Sequence, residues 1–305
     1  MKPEIYLPKA VKMLSRLDLT RNYEEVIRSV FDHVKNVGTM VVTYNAGKGI
    51  LRARPMGDGE PRFSTVSDFS FKPQHLNREF QRASTPRRTM FYGSTVREGL
   101  KPGEIDTPRL ITLAESMPWI RDKTLSGIRK IGYGKWINQE PLELLAIVNN
   151  KGFHGVNSFS EEVYQAFLNN LSVHSPEYRN AILGFYDFMA QEFSKEIKNP
   201  PDYQVSAIFS DMMCNHPNVD GILYPSFRME GQGLNIAIKP ESMRKLGLYA
   251  AGEFLIYKNK DQIMVGNCAS IKLDGNTAEF EMNEDEKHLD EVLKIIGVKS
   301  LDELM

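Results

Sequence analysis

Apolar residues along this chain alternate between a helical spacing and short continuous runs. Val26, Val30, Phe31 and Val34 form a stripe at helical spacing, with Asn22 and Glu25 in capping-box positions, which predicts a helix over 23–37. Apolar runs at 39–44 and 50–54, separated by the turn Asn45, Ala46, Gly47, Lys48 and Gly49, read as strands. Residues 55–88 are rich in Pro, Ser, Arg and Gly and hold no sustained period, the character of a long irregular segment of the kind that often carries function. A short strand is predicted at 89–92, ending in Gly93. Thr107 and Pro108 then open a helix through Leu110, Ile111, Leu113 and Ala114, which puts Glu115 on or just after a helix.

Segments 126–136 and 142–148 read as strands paired with each other. A helical block follows: Ser158 or Ser160 opens a helix over 161–171, Ser175 with Pro176 opens one over 177–197, and Asn199, Pro200 and Pro201 stop it before a third over 203–214. Strands return at 221–224, 234–238, 254–258, 262–273 and 277–282, before a closing helix over 284–296. Strands on both sides of a helical block predict an α+β fold, with a mixed or largely antiparallel sheet and an inserted helical layer.

Composition narrows the function. With 41% hydrophobic and 25% charged residues over 305 positions, the chain has the make-up of a folded protein with one large core or two modest ones. A formal net charge of -1 gives no whole-molecule field for nucleic acid or anionic lipid, so any polyanion site is local. No apolar run approaches the roughly 18 residues of a membrane span, and the first residues lack a signal-peptide core, so a cytoplasmic protein without membrane association is expected. Cys214 and Cys268 read as core thiols, and six scattered histidines give no metal-ligand spacing, so no metal is expected. Neither a phosphate-binding loop, nor a dinucleotide-binding glycine motif, nor a nucleophile elbow is present.

The clearest chemical bias lies between Leu51 and Arg109, which holds nine arginines (52, 54, 62, 78, 82, 87, 88, 97 and 109) against two lysines. A planar guanidinium fork grips carboxylate or phosphate in a way that a lysine does not. Interspersed acids, among them Glu60, Asp68, Glu79, Glu98, Glu104 and Asp106, offer the plainer reading of surface ion pairs. Strand alternation sets Arg52 and Arg54 on one face, and two cations on one face want an anion.

Several motifs resemble the RES-domain family. The run 219–226 (VDGILYPS) followed by 234–240 (LNIAIKP) is similar to that family's late strand pair with its signature serine, here Ser226. The run 51–55 (LRARP) is similar to its opening arginine strand. Arg82, with Tyr92 ten positions later, resembles its second arginine and strand-end tyrosine, and Glu115 looks like the family glutamate. Gln81 and Ser84 stand where the family usually has glycine and asparagine. A longer gap before Glu115 implies an insertion near 95–107, with Glu98 and Glu104 as rivals. The resemblance implies an RES-type domain over 46–305, helically inserted at about 158–214, behind an N-terminal helical extension over 1–45.

It also implies a fold related to ADP-ribosyltransferase toxins, NAD⁺ held as substrate in a cleft, and cleavage of its nicotinamide–ribose bond. Arg52 and Glu115 would act in catalysis, while Arg52, Arg54, Arg82, Tyr92, Ser226 and Asn235 would bind NAD⁺. Arg52 and Arg82 would take the pyrophosphate or an incoming inorganic phosphate, Tyr92 would stack on nicotinamide, and Ser226 would bond the carboxamide or phosphate. The family role implied is the toxin of a toxin–antitoxin pair, assembled with an antitoxin that carries a helix-turn-helix DNA-binding domain. Two rivals stand beside it: a protein ADP-ribosyltransferase using the same NAD⁺ site, and a nucleic-acid-binding module built on the 51–109 arginines. A third is a catalytically dead binding protein on the same scaffold.

Overall fold

Early and late strands meet in a single sheet. The structure, a computed structural model, describes residues 2–34, 38–97, 108–149, 151–153, 156–197, 199–273, 278–285 and 288–304. Its strands are β1 (Val41–Tyr44), β2 (Gly49–Pro55), β3 (Phe91–Thr95), β4 (Gly127–Asn138), β5 (Leu142–Ala146), β6 (Gly221–Pro225), β7 (Leu234–Ile238), β8 (Leu246–Asn259), β9 (Gln262–Lys272) and β10 (Asn283–Glu284). Its helices are α1 (Pro3–Leu14), α2 (Glu24–Asp32), α3 (Pro108–Ser116), α4 (Pro118–Arg121), α5 (Ser158–Leu171), α6 (Pro176–Ser194), α7 (Gln204–Cys214) and α8 (Leu289–Ile296). Among the described residues the sheet has ten strands in the order β1-β5-β6-β7-β3-β2-β4-β8-β9-β10. The protein is α+β with a mixed sheet. Its parallel pair, β5 with β6, is the one bridged by the α5–α7 block, as a parallel connection requires a long crossover.

The sheet corrects three sequence expectations. Segments 126–136 and 142–148 do not pair with each other: β4 lies between β2 and β8, and β5 between β1 and β6. Adjacency in sequence suggested a hairpin, but Gln139 N bonds Lys245 O instead, turning β4 toward the start of β8. Gly93 lies inside β3, which continues to Thr95. Residues 278–282 form no strand, and their ladder pairing is limited to one bridge from Glu279 to Thr65. Helix α1 was not expected, because Pro8 interrupts its pattern; Leu7, Ala10 and Leu14 are nevertheless fully buried.

Side chains alternate across the central strands into two cores. Ile222, Tyr224 and Ala237 face a helical layer in which Leu7, Phe31, Phe185, Met189 and Phe209 pack together. Leu223, Ile236 and Ile238 face the other side with Ile50, Phe91 and Trp136. Helices α1 and α2 sit on α6 and α7, so residues before 45 and the 158–214 block share one core. An ion pair reinforces this layer, with Arg28 on the buried Asp211 at 2.7 Å.

The sheet forks between β2 and β3. These strands pair only through Ile50 with Thr95 and Leu51 with Ser94. Beyond that point β2 keeps to β4 as far as Pro55, while Phe91–Gly93 keep to β7. Gly93 lies at the crotch, where an added Cβ would stand 2.6 Å from Ile50 Cγ2 and 2.9 Å from Leu51 O. Gly93→Ala is therefore expected to cost about 1–3 kcal/mol in urea unfolding, as overpacking does. Gly184→Ala, in α6 with open space around it, is expected to stabilise by roughly 0.5–1 kcal/mol in the same assay.

Candidate active site

A cavity of about 490 Å³ fills the fork, within the size range of small-molecule sites. Residues from both prongs line it: Arg52 and Arg54 from β2, Met90 and Tyr92 from the β3 side. The 72–82 segment adds Lys72, Gln81 and Arg82; α3 and α4 add Thr112, Glu115 and Arg121; Tyr203, Tyr224, Arg228 and Asn235 complete the wall. Six of these are cations (Arg52, Arg54, Lys72, Arg82, Arg121 and Arg228), and Glu115 is the one carboxylate among the lining residues described. Such a wall favours an anion, and a lone carboxylate inside it has a specific task.

Glu115 sits in the last turn of α3, and its Oε1 accepts two hydrogen bonds, from Ser226 Oγ at 2.6 Å and Asn235 Nδ2 at 2.9 Å. Three distant segments thus converge on one oxygen. Its Oε2 has no donor among the described residues and is the atom left for a ligand. Gly233 makes this convergence possible, because a Cβ there would stand 2.0 Å from Ile111 Cδ1, so α3 could not lie this close to the β6–β7 connection. Ser226 is itself fully buried and does not line the cavity; its hydroxyl holds Glu115, a different partner from the ligand oxygen expected of it.

Arg52 closes the fork from the other side. Its Nη1 donates to Tyr92 O at 2.8 Å, spanning the two prongs, and its Nε donates to Ser70 O at 2.9 Å. Burial, with Arg54 beside it, brings its pKa down to about 10, so it is a cation at neutral pH. Two of its five N–H donors are used, leaving Nη2 for an anion. Arg54 is differently placed, ion-paired with Glu60 and donating to Asp68 O at 3.1 Å. Arg82 donates to Phe193 O and lies 5.2 Å over the Tyr203 ring.

Tyr92 holds the turn that carries Arg82. Its hydroxyl accepts from Ala83 N at 3.0 Å and shares a proton with Ser84 Oγ at 2.7 Å, while Met90 N donates to the same Ser84 oxygen at 2.9 Å. Burial raises this phenol to about 12, so it stays neutral. The serine that departs from the family pattern is thus the tyrosine's partner.

No protein-family model and no curated protein matches the chain. Among solved structures it is similar to a chain of the M. tuberculosis MbcT–MbcA toxin–antitoxin complex, at 10% identity, over 83% of this chain and 93% of that one, with a TM-score of 0.28. A superposition that loose assigns neither fold nor activity, and the site is read from its own geometry.

Two of the remaining arginines form ion pairs, though not with the interspersed acids that the surface reading named. Arg62 pairs with Glu253 and Glu284, and Arg88 with Asp211, partners far away in sequence. Arg109 stacks 5.3 Å over Phe254. Glu98, Glu104 and Asp106 lie outside the described residues, as does the Thr107 cap. Sequence reasoning missed Arg121, Arg228, Tyr203 and Tyr224. Tyr224 and Arg228 flank Ser226 two positions either side, so the serine's motif could have found them; Arg121, which caps the α3 carbonyl of Ala114, carried no signal. Among the described residues no group of three or more His, Cys, Asp or Glu could hold a metal, and no helix is long and apolar enough to cross a membrane.

Bonds to a charged acceptor are worth about 1.5–3 kcal/mol. A double-mutant cycle on Ser226→Ala and Glu115→Ala should therefore give a coupling of roughly 1–3 kcal/mol in chemical unfolding. Additive losses would remove the serine from the glutamate's support.

Proposed function

We propose that this protein is an RES-type NAD⁺-cleaving enzyme that breaks the bond between nicotinamide and ribose. The observation that carries the reading is Glu115, held on one oxygen by Ser226 and Asn235 and open on the other, within a wall otherwise lined by cations. The same residues are those the family resemblance selects.

The chemistry follows from where the charges stand. As the glycosidic C–N bond lengthens, its electron pair leaves with nicotinamide and positive charge develops on the ribose C1′ and ring oxygen. A carboxylate fixed in advance, with a free oxygen for the ribose hydroxyls, stabilises that charge without reorganising. Arg52 on β2 and Arg82 on the segment before β3 hold the pyrophosphate. The acceptor then adds to C1′ and gives up a proton: water yields ADP-ribose, and inorganic phosphate yields its phosphorylated form. Arg54, already paired with Glu60, contributes positive potential more than direct contact.

Protein ADP-ribosylation would use the same bond cleavage with a protein nucleophile. A nucleic-acid-binding module is less well supported, because Arg52, Arg54 and Arg82 converge on one concave cavity while Arg62 and Arg88 are ion-paired. By the family resemblance we assign the protein the role of toxin, restrained by an antitoxin that covers the cavity mouth.

Incubation of the purified protein with NAD⁺ tests the reading. Free or phosphorylated ADP-ribose is expected, with Glu115→Gln slower by roughly 10²-fold or more, the scale of one lost electrostatic group. Label transferred from NAD⁺ to protein would instead assign the transferase. A folded wild type without NAD⁺ turnover, or a fully active Glu115→Gln, would overturn the proposal.

A further inference from the structure

Tyr224 is a cavity residue whose hydroxyl takes no hydrogen bond from any described residue. It is 5% exposed, lines the cavity, and packs its ring 5.2 Å from that of Phe193. Beside it, Tyr92 is held by Ala83 and Ser84, Asn235 and Ser226 by Glu115, and Arg82 by Phe193 O. The Tyr224 hydroxyl alone among these has no hydrogen bond from any described residue. The ring is buried while the hydroxyl is left to the cavity, where a bound molecule can satisfy it.

Register places this hydroxyl at the glutamate end of the cavity. Tyr224 is the direct cross-strand partner of Asn235, the residue that donates to Glu115. Side chains paired this way stand about 4.5–5.5 Å apart at Cβ on one face of the sheet. Arg82 and Glu115 both lie close enough to act on the phenol electrostatically, and burial raises it well above its ordinary value, so it is a neutral group with a proton to donate. A carboxylate only accepts and a guanidinium only donates, whereas a phenol does both, which matches a sugar hydroxyl.

We infer that the Tyr224 hydroxyl donates a hydrogen bond to a ribose oxygen of the bound ligand, beside the sugar hydroxyls taken by Glu115. This rests on the NAD⁺ reading and extends it to a residue that contacts the sugar and makes the site selective for a ribosyl phosphate over phosphate alone. The hydroxyl waits unpaired in the empty protein and is satisfied on binding.

The test compares wild type with Tyr224→Phe, which keeps the ring and its packing, by calorimetric titration with ADP-ribose and with inorganic pyrophosphate. ADP-ribose affinity is expected to fall roughly 5- to 10-fold, the worth of one neutral hydrogen bond, with pyrophosphate affinity unchanged. Removing an unpaired hydroxyl breaks no internal bond, so the melting temperature of the unliganded variant should be equal to or above that of wild type, which a structural role would not allow. Equal ADP-ribose affinity in both proteins, an equal loss for pyrophosphate, or a lowered melting temperature would each overturn the inference while leaving the NAD⁺ reading standing. A wild type that binds neither probe would overturn both.

Discussion

Two cross-strand pairs, Ile50 with Thr95 and Leu51 with Ser94, are all that join β2 to β3, and the site depends on how soon that pairing stops. Had the strands stayed together to Pro55, the backbone groups of Phe91–Gly93 would have bonded β2 and no cavity would exist. Gly93 lets the strands touch closely at the crotch, and the partners then diverge because β4 claims one prong and β7 the other. Arg52 makes the opening tolerable: its guanidinium reaches across to the Tyr92 carbonyl, replacing part of the lost ladder with a charged donor. The group that stabilises the opening is thus also one that offers charge to whatever enters it.

On the other side of the opening the difficulty is a carboxylate withdrawn from bulk water. Ionised groups away from bulk water need donors. Glu115 has two from the β6–β7 pair and the field of six cations lining the same cavity. Both donors are neutral, so the carboxylate keeps its charge for the ligand instead of cancelling it in an ion pair. Arg54, matched with Glu60, shows the opposite choice in the same cavity wall. The cavity therefore separates charges that answer one another within the protein from charges held for a ligand.

Much of this was legible in the sequence, unevenly. The β6–β7 motif around Ser226 and the alternation of Arg52 with Ala53 are local patterns, and the structure keeps both. Glu115 was legible through its helix, since Pro108 starts α3 as expected. Less visible were interactions between distant segments: the separation of β4 from β5, the burial of α1 despite Pro8, and Ser226 bonding Glu115 instead of facing the cavity. Arg121 and Tyr203 gain their places only through tertiary packing, which no spacing encodes. Gly233, part of no nucleotide-binding motif, serves helix packing against Ile111.

A ligand bound in the fork between β2 and β3 would meet the carboxylate of Glu115 at one end and Arg52 and Arg82 along its walls. A crystal structure with ADP-ribose bound tests it most directly. The account requires the pyrophosphate between Arg52 and Arg82 and the ribose within hydrogen-bond distance of Glu115. Density for the ligand in the apolar groove of Leu110, Tyr133 and Phe254 instead, with the fork empty, would contradict it.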